Sequence, residues 1–508
     1  MLSRILSATV VGIDALPVEV EVDSSRGLPS VTTVGLPDNA VKESRERVRA
    51  AIKNSGYSFP AGRLTINLAP ADLKKEGSSF DLPIAMGILA ADGVVKRDNL
   101  EGYLMLGELS LNGEVKPVRG VLPVALAVRK MAKALIVPEE NSLEAAIVDG
   151  IDVFGVKSLV EVVEFVNGER NLEPRRVEAG NLLGSQRYAA DMADVRGQEH
   201  VKRALEVVAA GGHNLLLIGP PGAGKTMLAR RLPGILPPMS LDEAIEVTRI
   251  HSVAGLLPAG TALVTERPFR TPHHTISDAG LIGGGQIPRP GEISLAHNGV
   301  LFLDEVLEFR RNVLDAMRQP LEDGSITVAR AQVSMVFPAR FMLVCATNPC
   351  PCGYLGDSTK ECRCTPPVIE RYRAKLSGPL LDRIDVHCEV ARVDFKELAH
   401  KAASRTSCEM RESVLAAREL QKERFKDSPI RNNAMMDERA VKRHCVLDSQ
   451  AAALLESAME RFSLSARAYT RILKVARTIA DLEQSPDIRA HHVAEAIQYR
   501  ALDRRVEL

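Results

Sequence analysis

Three features that mark special classes of protein are missing from this sequence. No apolar run reaches the roughly 18 residues that a membrane-spanning helix needs. The segment from Met1 to Val11 lacks the charged start and the long apolar stretch of a signal peptide. Cysteine is scarce, at 8 of 508 residues, and half of it lies between Cys350 and Cys364, which excludes a disulfide framework. We therefore expect a cytoplasmic protein with no membrane partner, whose cysteines are reduced thiols or metal ligands.

Net charge is missing as well. The 65 basic residues balance 65 acidic ones, so the chain has no overall positive field of the kind that marks many nucleic-acid-binding proteins. Any contact with a nucleic acid must come from a local group of residues. What is present is an ordinary globular composition, with 45% hydrophobic and 26% charged residues. The length suggests about three domains.

The hydrophobic pattern divides the chain into four segments. Residues 1–170 mix strand and helix patterns and predict one α/β domain. Residues 171–190 are polar and lose the apolar period, as a linker does. Residues 191–393 alternate helix patterns with short, strongly apolar runs, which predict a parallel sheet buried on both faces. Residues 394–508 are charged and periodic at helical spacing, and they predict a helical C-terminal domain.

A glycine-rich segment follows the first apolar run of the third domain and precedes a helix pattern. Its residues are Gly219, Pro220, Pro221, Gly222, Ala223, Gly224, Lys225 and Thr226. Glycines allow backbone N–H groups to turn inward around a phosphate, and the helix N-terminus adds its positive dipole end. In such loops the lysine reaches the β and γ oxygens and the hydroxyl ligates magnesium. The segment therefore predicts binding of ATP and Mg²⁺, with a chance glycine turn as the remote alternative.

Polar residues follow the next two apolar runs. Asp304 and Glu305 end the run 299–303, and one acid can hold magnesium while its neighbour polarises the attacking water. We assign Asp304 to the metal and Glu305 to the base. Asn348 follows the run 341–346, where its amide can orient the water or sense the γ-phosphate, although a turn-capping role is the alternative.

Two arginines complete the candidate site. Arg383 lies where the edge of a subunit would present it to the γ-phosphate of a neighbour. Arg467 begins a helix of the C-terminal domain and can reach the phosphate of its own subunit. A surface salt bridge is the alternative role of each.

Long, specific sequence blocks resemble the magnesium-chelatase-like AAA+ proteins of the ComM/YifB family. These blocks are Gly211 to Thr226, Thr271 to Thr275, Gly283 to Gly285, Pro288 to His297, Arg318 to Glu322, and Asn348 to Gly353. The resemblance covers nearly the whole chain and implies an AAA+ P-loop core with a helical C-terminal lid domain. It also implies a hexameric, ATP-driven helicase for branch migration in natural transformation. The implied partners are single-stranded and branched DNA and recombination proteins, with Arg383 as the arginine finger and Arg467 as the second sensor.

The interval between Lys225 and Asp304 is long for a compact ATPase core, so it must hold an insertion. The stretch from Arg267 to Arg289 has loop or hairpin character, and the stretch from Gly324 to Val336 predicts a second hairpin. The family resemblance implies that both face the pore of a ring, where short basic hairpins grip phosphates. The candidate DNA contacts are Arg267, Arg270, Arg289 and Arg330, each of which is otherwise an ordinary surface arginine.

The N-terminal domain resembles the Lon protease fold, with Ser79 at the place of the nucleophile. A serine nucleophile needs a base, and the position of the family's lysine is occupied here by Leu122. Lys116 is close in sequence but falls at another place in the pattern. We expect an inactive domain that serves interaction or assembly.

Four cysteines form two pairs, Cys350 with Cys352 and Cys362 with Cys364. Four thiolates are enough for a tetrahedral zinc site. The gap of one residue within each pair is unusual and makes both sulfurs harder to direct at one ion. Zinc and reduced structural thiols both remain open.

Three classes of function follow from these features. A DNA-translocating motor is favoured. A chelatase-like or chaperone-like remodeller of a protein partner is the alternative, because a threaded polypeptide also needs pore loops. Peptidase activity is the third class, and Leu122 argues against it.

Overall fold

The computed structural model describes most of the chain in two units. The described residues are 1–75, 77–129, 131–183, 188, 190–285, 288–329, 334–357, 360–376, 378–392 and 405–500. The first compact unit comprises residues 1–185 and 240–265, and the second comprises residues 186–239 and 266–508. A search of the described helices for one that is both long and apolar enough to span a bilayer finds none.

A mixed β-sheet forms the centre of the first unit. In spatial order its described strands are Ser30–Val34, Arg63–Ala69, Asp14–Ser25, Leu2–Val11, Tyr103–Met105, Ala134–Pro138 and Asp152–Val156. A separate short pair joins Glu108–Leu109 to Val115–Lys116. The α-helices of this unit are Asn39–Asn54, Asp81–Asp92, Val121–Val128, Ser142–Ala145, Leu159–Asn167, Ala179–Leu182 and Leu241–Ala254.

Local sequence explains where these elements begin and end. Val18, Val20 and Val22 alternate along one strand and are fully buried. Asp38 accepts a hydrogen bond from the Val41 N–H at 2.8 Å and caps the helix Asn39–Asn54. The helix Val121–Val128 ends in a turn, in which the Val128 carbonyl accepts a hydrogen bond from the Met131 N–H.

The second unit contains a parallel sheet, as the apolar runs predict. Its described strands, in spatial order, are Phe269–Arg270, Val300–Leu303, Met342–Thr347, Leu215–Ile218 and Val386–Glu389. The three middle strands are buried along their whole length, which matches strands covered on both faces. Two antiparallel pairs lie apart from this sheet, Gly283–Gly284 with Arg289–Pro290 and Ser325–Ala329 with Ser334–Pro338.

The helices of the second unit cover this sheet and form the C-terminal region. They are Glu199–Gly211, Lys225–Arg231, Asp278–Ile282, Glu292–Leu295, Arg311–Ala316, Arg318–Asp323, Pro366–Arg373, Gly378–Leu381, Ser407–Arg424, Glu438–His444, Ser449–Phe462, Ala466–Leu482 and Ala490–Gln498. Leu205, Val344 and Ile472 belong to one continuous hydrophobic core. The predicted helical C-terminal region is therefore present, and it packs on the core of the sheet.

Residues 240–265 leave the second unit and join the first. The helix Leu241–Ala254 begins with a capping box between Ser240 and Glu243. Ser252 accepts a hydrogen bond from the Gly120 N–H at 3.1 Å, and Arg249 forms an ion pair with Asp14. The expected insertion between Lys225 and Asp304 thus includes a helix that belongs to the N-terminal unit.

Candidate nucleotide-binding site

The glycine-rich loop favours glycine at three positions. A Cβ atom at Gly219 would lie 2.2 Å from the carbonyl oxygen of Val390, so a side chain cannot be placed there. Gly222 and Gly224 have φ angles of 79° and 89°, in the left-handed region that favours glycine. The helix Lys225–Arg231 starts directly after Gly224. Strand, loop and helix follow one another in the order that a phosphate-binding loop requires.

Lys225 is held inside this loop. Its ammonium donates to the Gly219 carbonyl at 2.6 Å, to the Pro220 carbonyl at 3.0 Å and to Asn348 Oδ1 at 3.1 Å. The side chain is buried, and burial lowers the pKa of Lys225 while Asp304 and Glu305 oppose that shift. The ammonium therefore lies at the centre of the predicted site.

Asp304 and Thr226 come into direct contact although they are far apart in sequence. The Thr226 hydroxyl donates to Asp304 Oδ2 at 2.7 Å, and the Glu305 N–H donates to Asp304 Oδ1 at 3.0 Å. A hydroxyl beside a carboxylate is the pair of oxygen ligands that Mg²⁺ takes in nucleotide sites, so the residues present fit that ion. Glu305 has a φ angle of 50°, which is unusual for a residue other than glycine, and its carboxylate is exposed.

A cavity opens beside these residues and shows further candidates. Its lining residues are Glu305, Glu308, Asn348, Pro351, Val368, Arg371, Tyr372 and Lys375. Asn348 lies there because its strand, Met342–Thr347, neighbours the strand that leads into the phosphate loop. Sequence reasoning did not find three of these residues, Arg371, Tyr372 and Lys375. They lie in or just after the helix Pro366–Arg373, whose mixed polarity does not indicate a functional site.

Arg383 and Arg467 each contact an acidic side chain rather than the phosphate loop. The Arg383 guanidinium forms an ion pair with Glu322 and its side chain is 13% exposed. Arg467 is in the first turn of the helix Ala466–Leu482, is 67% exposed, and lies 3.4 Å from Asp382. Among the hydrogen bonds of the described residues, none joins either arginine to the phosphate loop. Their assigned roles stay predictions.

A buried polar network is centred on Asp385 and was not predicted from the sequence. Asp385 is 1% exposed, pairs with Arg471, and lies 3.4 Å from His213 Nδ1. It also accepts a hydrogen bond from the Asn214 N–H at 3.0 Å, directly before the strand Leu215–Ile218. Burial raises the pKa of Asp385, but Arg471 and His213 outweigh burial and hold that pKa well below its usual range. In the sequence, the network is marked by Asn214 alone, a polar residue directly before the apolar run 215–218.

The four candidate DNA contacts have different surroundings. Arg267 donates to the carbonyls of Pro237 and Asn298, both at 2.6 Å, and Arg270 forms two hydrogen bonds of 2.7 Å with Glu292. Both guanidinium groups are therefore engaged within the unit. Arg289 is exposed on the short pair Gly283–Gly284 with Arg289–Pro290.

The fourth candidate, Arg330, lies outside the described residues. The strands on either side of it, Ser325–Ala329 and Ser334–Pro338, pair in antiparallel register. The second predicted hairpin is confirmed to that extent.

The N-terminal unit places no lysine in the role of a base for Ser79 among the contacts of its described residues. Leu122 is fully buried and its N–H donates to Glu144 Oε1 at 2.9 Å. Lys116 pairs with Glu114 at 2.7 Å. Lys75, which the sequence did not single out, is fully buried and its ammonium donates to the Pro70 carbonyl.

Three protein families match three separate parts of the chain. The fold and site define a magnesium-chelatase-like AAA+ protein. The family described as magnesium chelatase, subunit ChlI, matches residues 191–398. Two related families, subunit ChlI of Mg-chelatase and the magnesium chelatase subunit ChlI C-terminal family, match residues 20–141 and 404–500.

Full-length relatives give the family. The chain is 46% identical over 507 residues to the YifB protein of Salmonella typhimurium, which covers 99% of this chain and 98% of the relative. It is also 46% identical over 508 residues, with the same coverage, to competence protein ComM of Haemophilus influenzae. The chain belongs to the ComM/YifB family. Lon protease 2 of Bacillus subtilis is 30% identical over 182 residues, 32% of each chain.

Proposed function

We propose that this protein hydrolyses ATP at the phosphate loop and uses the energy to move along DNA and drive branch migration. One observation supports the ATPase part: Lys225, Thr226, Asp304 and Asn348 come together at the carboxyl edge of one parallel sheet. Ligands of open α/β sheets bind at that edge. Bound magnesium would neutralise phosphate charge there, next to Thr226 and Asp304.

Each residue then has one task. Lys225 holds the phosphates, Glu305 accepts the proton of the attacking water, and Asn348 orients that water. Arg467 acts on the phosphate of its own subunit. Arg383 acts on that of a neighbour, because its partner Glu322 is 58% exposed and can yield to a phosphate. This requires an oligomer, and we propose a ring of six subunits.

The DNA part rests on the family and on local charge. The relative from Haemophilus influenzae is named a competence protein. On that support we propose that the activity serves natural transformation, in which joint DNA molecules form and recombination proteins act. Arg289 is exposed on a short antiparallel pair, and Arg330 directly follows the paired strand Ser325–Ala329 in the sequence. Basic groups at hairpins bind the phosphate backbone without reading its sequence.

A branch-migration assay tests this proposal. Purified protein with ATP is expected to move the junction of a three-stranded or four-stranded DNA, and single-stranded or branched DNA is expected to stimulate its ATPase. The variant Arg289→Ala with Arg330→Ala should lose most of that stimulation, and each lost phosphate contact should reduce the salt dependence of binding by about one ion. Arg439→Ala, which changes an exposed arginine on the helix Glu438–His444, serves as the control.

The main alternative is remodelling of a protein partner. Stimulation of the ATPase by an unfolded protein but not by DNA would favour that alternative. An unchanged response to DNA in the double variant would reject the hairpins as the contact.

A further inference from the structure

The four cysteines Cys350, Cys352, Cys362 and Cys364 form a compact group, called here the cysteine cluster. Their four sulfur atoms all lie within 4.8 Å of one another. Three of the sulfur pairs are 3.3, 3.6 and 3.7 Å apart. Tetrahedral zinc with bonds of about 2.3 Å needs sulfurs about 3.8 Å apart, while a disulfide needs about 2.0 Å. The spacing therefore matches one shared ion, even though each pair has the short one-residue gap.

A backbone amide also points into the cysteine cluster. The Cys364 N–H is directed at Cys362 Sγ, with nitrogen and sulfur 3.5 Å apart. Donors directed at sulfur stabilise its charged form, which is the form that binds metal. Cys350 is buried and the other three are partly exposed, so the cysteine cluster lies close to the protein surface.

The loop of the cysteine cluster also contacts the nucleotide site. Asn348, two residues before Cys350, accepts the hydrogen bond from Lys225. Gly353 has a φ angle of 82°, and a Cβ atom there would lie 2.7 Å from Pro221 in the phosphate loop. Pro351 lines the cavity beside Glu305 and Asn348. Asn348 and Pro351 therefore form part of one wall of that cavity.

We propose that the cysteine cluster binds one Zn²⁺ ion through four thiolates and that this ion fixes the cavity wall formed by Asn348 and Pro351. The zinc site itself is independent of the proposed function, whereas its effect on turnover rests on the proposed ATPase activity. The role is structural, because four protein ligands leave no open position on the ion.

Metal content tests the zinc site without any enzyme assay. Wild-type protein purified without added metal or chelator should contain about one zinc per chain by elemental analysis. Cys408→Ser, which changes an exposed cysteine outside the cluster, should keep that zinc, and Cys352→Ser with Cys362→Ser should lose it. Folded wild-type protein that lacks zinc, and whose four thiols stay reactive after zinc is added, would overturn the site.

The link to the nucleotide site has a matched pair of variants. Gly353→Ala and Gly356→Ala both place a side chain at positive φ, but only the first meets another group, since nothing lies within 4 Å of Gly356. Gly353→Ala should keep zinc while nucleotide affinity falls and kcat falls at least about tenfold, because the new side chain displaces Pro221 of the phosphate loop and small displacements of positioning residues are costly. Gly356→Ala should keep all three. Equal kcat in the two variants would reject the link, and absence of any ATPase would reject the proposed function while zinc content still decides the site.

Discussion

Two loops in this molecule share a design and differ in what surrounds them. The loop before Asp81 and the loop before Lys225 each contain a glycine at positive φ, Gly77 at 83° and Gly222 at 79°, and each leads into a helix. In the second loop, Lys225 is bound to acceptors at the site. In the first, Leu122 occupies the position at which the resemblance to Lon protease implies a lysine base for Ser79.

The difference lies in residues supplied from elsewhere in each fold. Neighbouring strands bring Asp304 and Asn348 to the phosphate loop. In the N-terminal unit, the helix Val121–Val128 contributes the buried Leu122, and Glu144 binds only its backbone N–H. A loop motif therefore fixes a backbone shape, whereas chemistry depends on side chains that other elements deliver.

The largest effects are expected at the phosphate loop. Lys225→Ala should abolish detectable nucleotide binding, because the lysine is the only phosphate-reaching cation that the motif supplies. Glu305→Gln should still bind ATP but hydrolyse it about 100-fold or more slowly, since it loses the base and keeps the shape. Binding of a fluorescent nucleotide and steady-state release of phosphate measure the two effects.

Glu308→Gln is the control for that pair of variants. Glu308 lines the same cavity and lies 3.6 Å from Lys375, so it matches Glu305 in charge and location. Its turnover should stay within about twofold of wild type, because it has no assigned role in proton transfer. Normal hydrolysis in Glu305→Gln would remove Glu305 from the site and weaken the contrast between the two loops.

An intermediate effect is expected at Asp385, which accepts a hydrogen bond from the Asn214 N–H at the start of the strand that leads into the phosphate loop. Asp385→Asn leaves Arg471 without its ion pair and should lower the free energy of unfolding by about 3 kcal/mol. Because the folded pKa of Asp385 lies below its unfolded value, its stabilisation is present above about pH 4 and is lost as pH falls through the folded pKa. Denaturant unfolding at several pH values should show the loss near neutral pH and a smaller acid dependence in the variant.

Asp382→Asn is the control, since its carboxylate is 34% exposed and pairs with an exposed Arg467. Its effect should stay below about 1 kcal/mol, as for surface ion pairs. If Asp385→Asn and wild type unfold with the same free energy, the ion pair between Asp385 and Arg471 does not stabilise the folded protein.

The smallest effect is expected at the first loop. Ser79→Ala should leave ATPase activity, DNA stimulation and stability unchanged, because Ser79 has no lysine base at the position of Leu122. Wild-type protein should cleave no peptide substrate. ATP-dependent proteolysis that disappears in Ser79→Ala would erase the distinction between the two loops.

Much of the fold follows from the sequence because its signals are local. The apolar runs around Leu215, Leu301 and Val344 are continuous, so they predict strands buried on both faces. The phosphate loop is equally local, since a few glycines and one lysine define it. The family assignment also rests on contiguous blocks, and the relatives bear it out.

The rest depends on distant partners. That Arg270 binds Glu292 and Arg383 binds Glu322 follows only from the folded chain, because the sequence shows an arginine but not its neighbour. The same holds for Asp385 with His213 and Arg471. The helix Leu241–Ala254 reads as part of the ATPase core in linear order and joins the other unit only in three dimensions.

That helix has a consequence for how the protein can be divided. The chain passes between the two units at residue 185, again at 239 and again at 265, so no single cut separates them. A fragment that starts after the predicted linker carries away a helix whose Ser252 and Arg249 contact Gly120 and Asp14 of the N-terminal unit. Neither piece would then be a complete folding unit. For the same reason, gene fusion at one breakpoint would divide the N-terminal unit rather than exchange it whole.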